Sequence, residues 1–95
     1  MSTISEYIEA YSKTAEALNR RFGPKHREPG GAFYRYLDEE KKICDRGDAL
    51  LAAQGLRLDT LSFSRDLPRE IDGLDQIVKE FTDLRDRLKA SQDKD

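Results

Sequence analysis

Nucleophilic or metal-dependent chemistry in this 95-residue chain would have to begin from one histidine, His26, and one cysteine, Cys44. A Cys–His dyad requires the imidazole within hydrogen-bond reach of the thiol, so that the base can take its proton. His26 stands in the connector Gly-Pro-Lys-His-Arg-Glu-Pro-Gly-Gly, whereas Cys44 follows Ile43 in the middle of a helical stretch. A free cysteine on an apolar stripe behaves as a small hydrophobe, so the spacing assigns Cys44 to the core. One histidine and one cysteine also fall short of a zinc site.

Carboxylates are more plentiful, and Asp38-Glu39-Glu40 is their tightest cluster. Helical metal-carboxylate sites add a histidine three residues after a glutamate, a spacing this chain lacks. Charge runs belong on solvated surface, and the three acids are expected there. The chain shows no Walker loop, no dinucleotide-binding glycine pattern and no EF-hand loop. Gly30-Gly31 alone does not make a phosphate cradle. The sequence thus predicts a protein that is not an enzyme, with no cofactor and no metal.

One constellation could serve a partner. Arg20, Arg21, Lys25, His26 and Arg27 precede Phe33-Tyr34-Arg35-Tyr36. Basic residues interleaved with aromatics grip phosphates and stack on bases. Arg20, Arg21, Lys25, His26, Arg27, Tyr34 and Arg35 are therefore the candidate partner-binding residues. The competing account makes Phe33, Tyr36 and Leu37 the anchors of a helix and leaves the arginines to solubilise a loop. Overall charge argues against nucleic acid: 17 basic and 19 acidic residues give a net −2, where duplex binders carry a basic excess. Leu50 to Gly55, followed by Leu61, has the outline of a helix-turn-helix. Its would-be recognition helix carries Asp59 and Asp66 and runs into Pro68, and it would repel phosphates.

These residues must be positioned by helices. Ile4, Ile8, Tyr11, Ala15, Leu18 and Phe22 recur at steps of four and three, and so do Leu67, Ile71, Leu74, Ile77, Phe81, Leu84 and Leu88. Such a repeat makes an apolar stripe that must be buried. In the middle segment, apolar pairs recur every seven residues: Tyr36-Leu37, Ile43-Cys44 and Leu50-Leu51. The expected core or helix-seam residues are Ile8, Tyr11, Leu18, Leu37, Ile43, Leu51, Leu74, Phe81, Leu84 and Leu88.

Thr3 with Glu6 has the form of a capping box, and Gly23-Pro24 ends the first element. Gly47 is the weak point of the second. Either another helix crosses closely there or the helix breaks, and continuity is the expectation. Gly55 is a stop signal, and Pro68 suits the first turn of a last helix. The predicted helices cover residues 3–22, 32–54 and 67–90. Residues 23–31 form a connector, residues 55–66 an ordered loop whose leucines plug the bundle, and residues 91–95 a frayed tail.

The expected fold class is all-α, within one domain: a three-helix bundle, or a helical hairpin with an added helix, in coiled-coil-like packing. A hydrophobic share of 37% against 38% charged residues makes a thin core, which a partner or second copy would complete. The expected function is a small non-enzymatic protein–protein interaction module, an adaptor, regulator or inhibitor acting through amphipathic helices. The alternative is a nucleic-acid-associated protein using residues 20–36. Another protein is the expected partner, with homodimerisation an accompaniment. The lone cysteine and the lack of a long apolar run lead to the expectation of a cytoplasmic protein without a membrane segment.

Overall fold

The structure, a computed structural model, describes residues 2–23 and 28–93, the side chains of 91–93 excepted. Three helices, α1 (Ile4–Arg21), α2 (Ala32–Ala53) and α3 (Leu74–Asp93), pack against one another in an all-α bundle. Two short strands, β1 (Ser2–Thr3) and β2 (Glu70–Ile71), pair antiparallel at one end. Among the described residues no helix is long and apolar enough to cross a membrane.

Local chemistry sets the ends of α1. Thr3 caps it in a capping box: its hydroxyl accepts from the Glu6 amide at 3.1 Å, and the Glu6 carboxylate accepts from the Thr3 amide at 3.2 Å. Two further amides of that first turn, Ile4 and Ser5, donate to the carbonyls of Arg69 and Leu67, both at 2.9 Å. The segment before α3 thus supplies the acceptors that a helix start lacks.

α2 ends in a Schellman turn. Gly55 adopts φ +72°, Leu56 donates to the Leu51 carbonyl, and Gly55 donates to that of Ala52. Left-handed backbone is what glycine offers here at no steric cost.

The last helix begins later than its spacing suggests. Residues 67–73 are not helical: the Arg69 amide closes a turn onto the Asp66 carbonyl, Glu70–Ile71 pairs with β1, and Gly73 turns the chain at φ +93°. Leu67 and Ile71 continue the heptad in number, but they reach the core from a turn and a strand. At the other end α3 runs through Asp93, so residues 91–93 are helical. Residues 94–95 of the expected tail lie outside the described residues.

Contacts fix the helix directions. Tyr7 of α1 meets Cys44 and Asp48 of α2, while Phe22, just past α1, meets Phe33 and Tyr36. α1 and α2 are therefore antiparallel. Thr14 meets Phe81, and the segment around Arg21 meets Leu88, so α1 and α3 run parallel. The core holds Leu18, Ile43, Leu51, Leu74, Phe81, Leu84 and Leu88, all buried.

The buried face of α1 is rotated from its heptad stripe. Ile4, Tyr7, Ala10, Thr14 and Leu18 are buried, whereas Ile8 is half-buried and Tyr11 is 39% exposed. Tyr11 is thus corrected from core to rim, where its ring still packs edge-on against Phe81 at 5.9 Å. Leu37 of α2, 37% exposed, is corrected in the same way. Thr14 substitutes for an apolar residue because its hydroxyl bonds back to the Ala10 carbonyl at 2.8 Å and faces the Phe81 carbonyl at 3.4 Å.

Glu40 corrects the solvated-face reading of the acidic cluster. It lies at a core position of α2 between Phe33 and Gly47, only 5% exposed, and its Oε2 meets no donor. Burial raises its carboxyl above the ordinary range, because a low-dielectric site disfavours the charged form. The folded protein therefore holds this proton more tightly than the unfolded chain does. The Glu40 contribution to stability is fully present below the unfolded value of about 4.3. It is lost as pH rises through the raised folded value.

Glu40→Gln should remove that loss. Parent and variant should unfold alike near pH 3 (both neutral at this position), with the variant about 1 kcal/mol more stable at neutral pH. Urea unfolding of both proteins at each pH checks it, and an equal gap at both pH values would contradict it. Asp66 acts in the opposite sense. The Ser62 amide bond at 2.7 Å holds its carboxyl below the ordinary range, so its contribution is lost on acidification in parent and variant alike.

Candidate partner-binding surface

Cys44 sits where α1 crosses α2. The Tyr7 hydroxyl lies 3.0 Å from the Cys44 carbonyl and 2.9 Å from Asp48 Oδ1, sharing its proton between them. Burial pushes the Tyr7 phenol up, and the contacts with Cys44 and Asp48 push it further. Burial also pushes the Cys44 thiol up, and Asp48 and Asp45 act in the same direction against an opposing hydrogen bond from Tyr7. A thiol so placed stays protonated at neutral pH and is a poor nucleophile. His26 lies outside the described residues, as do Lys25 and Arg27. Among the described residues no group of three or more His, Cys, Asp or Glu side chains is placed to hold a metal ion.

The remaining basic-aromatic candidates are largely engaged within the chain. Arg20 pairs with Glu16 at 2.6 Å, and the Arg21 guanidinium lies over the Phe22 ring at 4.9 Å. Phe22, Phe33 and Tyr36 form an aromatic cluster with centroids 5.8 and 5.9 Å apart. Tyr34 is 43% exposed with its ring edge-on to Phe33 at 5.2 Å, and Arg35 beside it is exposed. The structure therefore brings Tyr34 and Arg35 to the surface and commits Phe22, Phe33 and Tyr36 to packing.

A different surface stands out. The loop after α2 contains a single 3-10 turn at Leu58–Thr60. Leu56, Leu61 and Leu67 pack on the core, as leucines plugging a bundle would. Leu58, however, is 43% exposed, which corrects the expectation for that leucine, and Phe63 is 84% exposed. The loop is held in place. The Thr60 amide bonds to the Arg57 carbonyl at 3.1 Å, and buried Asp66 closes a reciprocal pair with Ser62: its own amide donates at 2.8 Å, and its carboxylate accepts at 2.7 Å. Phe63 is thus presented on a fixed turn, a geometry in which little ordering entropy would be lost on binding.

Leu58 also separates two hollows. One, about 310 Å³, is walled by Tyr7, Ile8, Tyr11, Ser12 and Leu58. The other, about 360 Å³, is walled by Asp48, Leu51, Ala52, Leu56, Arg57, Leu58 and Asp59. A third groove, between α2 and α3, is crossed by the ion pairs Arg46–Glu80 and Arg87–Glu39, so its charges answer one another.

Comparison of the chain with protein-family models, with curated proteins and with solved structures finds no match. Function must be argued from the surface alone. Sequence reasoning missed Leu58 and Phe63 because Leu56, Leu58, Leu61 and Phe63 alternate, and alternation does not say which partner faces out. The available signal was their excess: a loop bearing four large apolar residues has more than one bundle end can cover.

Proposed function

We propose that the protein is a non-enzymatic protein–protein interaction module, an adaptor, regulator or inhibitor. The observation that supports this most is Phe63, 84% exposed on a turn pinned by Asp66. Aromatic side chains held out to solvent on a rigid support are the anchors around which interfaces form. Leu58, Tyr11 and Leu37 are further apolar side chains open to solvent, and Leu58 and Tyr11 wall one hollow together. Burial keeps the Cys44 thiol protonated, and the module reading asks no chemistry of it. A single free thiol suits work in a reducing cytoplasm.

Phe63→Asp tests the reading. The residue touches little of the core, so the variant should keep its melting curve within about 0.5 kcal/mol of the parent. It should lose partners that the parent retains from a lysate of the source organism after nuclease treatment. Partners that vanish with nuclease, and survive Phe63→Asp, would instead favour nucleic acid and the patch at residues 20–36.

A further inference from the structure

We propose that the cleft divided by Leu58 is a docking site for a segment of another protein that carries a lysine or arginine beside its apolar anchors. The proposal rests on the interaction-module reading and names the chemistry of the partner. Its floor is apolar on both sides of Leu58, from Ile8 and Tyr11 to Leu51 and Leu56. The charge on its walls is lopsided. Arg57 lies 3.4 Å from Asp59 and is answered by it. Asp48 accepts from the Tyr7 hydroxyl, but among the described residues no lysine or arginine pairs with it.

The Tyr11 phenol, on the wall of one hollow, feels that carboxylate: after burial, Asp48 is among the influences that raise it. A purely apolar segment laid across this cleft would desolvate Asp48 without a counter-charge, which is strongly unfavourable. A basic residue next to the anchor supplies that counter-charge, and an acidic one would be repelled. The α2–α3 groove lacks this asymmetry, because three acidic side chains on its walls face three basic ones.

Panning a phage-displayed random peptide library on the full chain tests the assignment, with wild type, Asp48→Lys and Leu58→Asp compared. Circular dichroism establishes that each is folded. Wild-type binders should share an apolar anchor with an adjacent lysine or arginine. Asp48→Lys should deplete that basic residue about tenfold in favour of acids, the reversal expected of paired charges. Leu58→Asp should abolish the consensus.

Should Asp48→Lys fail to fold, Asp48→Asn keeps an acceptor for Tyr7 and should simply erase the basic preference. A consensus without a basic residue, or one indifferent to Asp48 or Leu58, overturns the cleft assignment. So does concentration-dependent dimerisation abolished by Leu58→Asp, which would make the occupant a second copy. If no peptide is selected but a nuclease-resistant partner is still captured through Phe63, the cleft fails and the module reading stands. If neither is found, both fail.

Discussion

Phe81→Ala should remove about 3–5 kcal/mol of stability, a large part of the 5–15 kcal/mol typical of a domain. Phe81 is wholly buried where α1 and α3 meet. Its ring packs against Tyr7 at 6.0 Å and, edge-on, against Tyr11 at 5.9 Å. Its carbonyl lies 3.4 Å from the Thr14 hydroxyl. Truncation leaves a cavity between α1 and α3, lined by Tyr7 and Tyr11. The melting temperature should fall by about 15–30 °C. Phe81→Asp should prevent folding altogether, since a carboxylate there would have no partner. Thermal and urea unfolding decide the matter, and a loss under about 1 kcal/mol for the alanine variant would contradict the packing described.

Gly47→Ala should also destabilise, against its helix propensity. In a solvent-exposed helix interior the change gains up to about 1 kcal/mol. Here an added Cβ would lie 2.5 Å from Tyr7 Cε1 and 2.6 Å from its Cζ and hydroxyl oxygen. The Tyr7 ring is only 1% exposed and hydrogen-bonded to Cys44 and Asp48, so it has nowhere to yield. Overpacking should outweigh propensity and leave a net loss of about 2 kcal/mol. In a Tyr7→Leu background, with the ring gone, the same substitution should become neutral or stabilising. That reversal of sign, read by urea unfolding of the four proteins of the cycle, isolates the Gly47–Tyr7 contact. Destabilisation of equal size in both backgrounds would contradict it.

The two residues show what the sequence made legible. Phe81, Leu84 and Leu88 could be placed because three large apolar residues at helical spacing have one sensible location. Gly47 announced a close helix crossing or a break, and α2 runs through it, with Tyr7 as the group that crosses. The choice of face on α1 was not legible. Both Ile8-Tyr11-Ala15 and Tyr7-Ala10-Thr14 lie at helical spacing beside Ile4 and Leu18. The tie is broken by the Tyr7 bonds to α2 and by a threonine that satisfies its own hydroxyl. Neither is a property of α1 alone.

The start of α3 was hidden for a related reason. Leu67 and Ile71 keep the heptad, but the Ile4 and Ser5 amides need the carbonyls of Arg69 and Leu67, and they draw that segment out of the helix. Glu40 looked like surface because its neighbours in sequence are acids, whereas its neighbours along the helix face are Phe33 and Gly47. The partner surface was least legible of all. Exposure of Leu58 and Phe63 depends on how the loop crosses the end of the bundle, which the Schellman turn at Gly55 and the Asp66–Ser62 pair decide.

Site-specific photocrosslinking in the source organism's cells bears most directly on the interaction-module reading. A photoreactive side chain would be placed at Phe63, with Lys79 on the exposed face of α3 as the control position. The account predicts one discrete adduct at position 63, containing a single other protein and unaffected by nuclease, with none at position 79. Equal labelling at the two positions, or an adduct at 63 that nuclease removes, would contradict it.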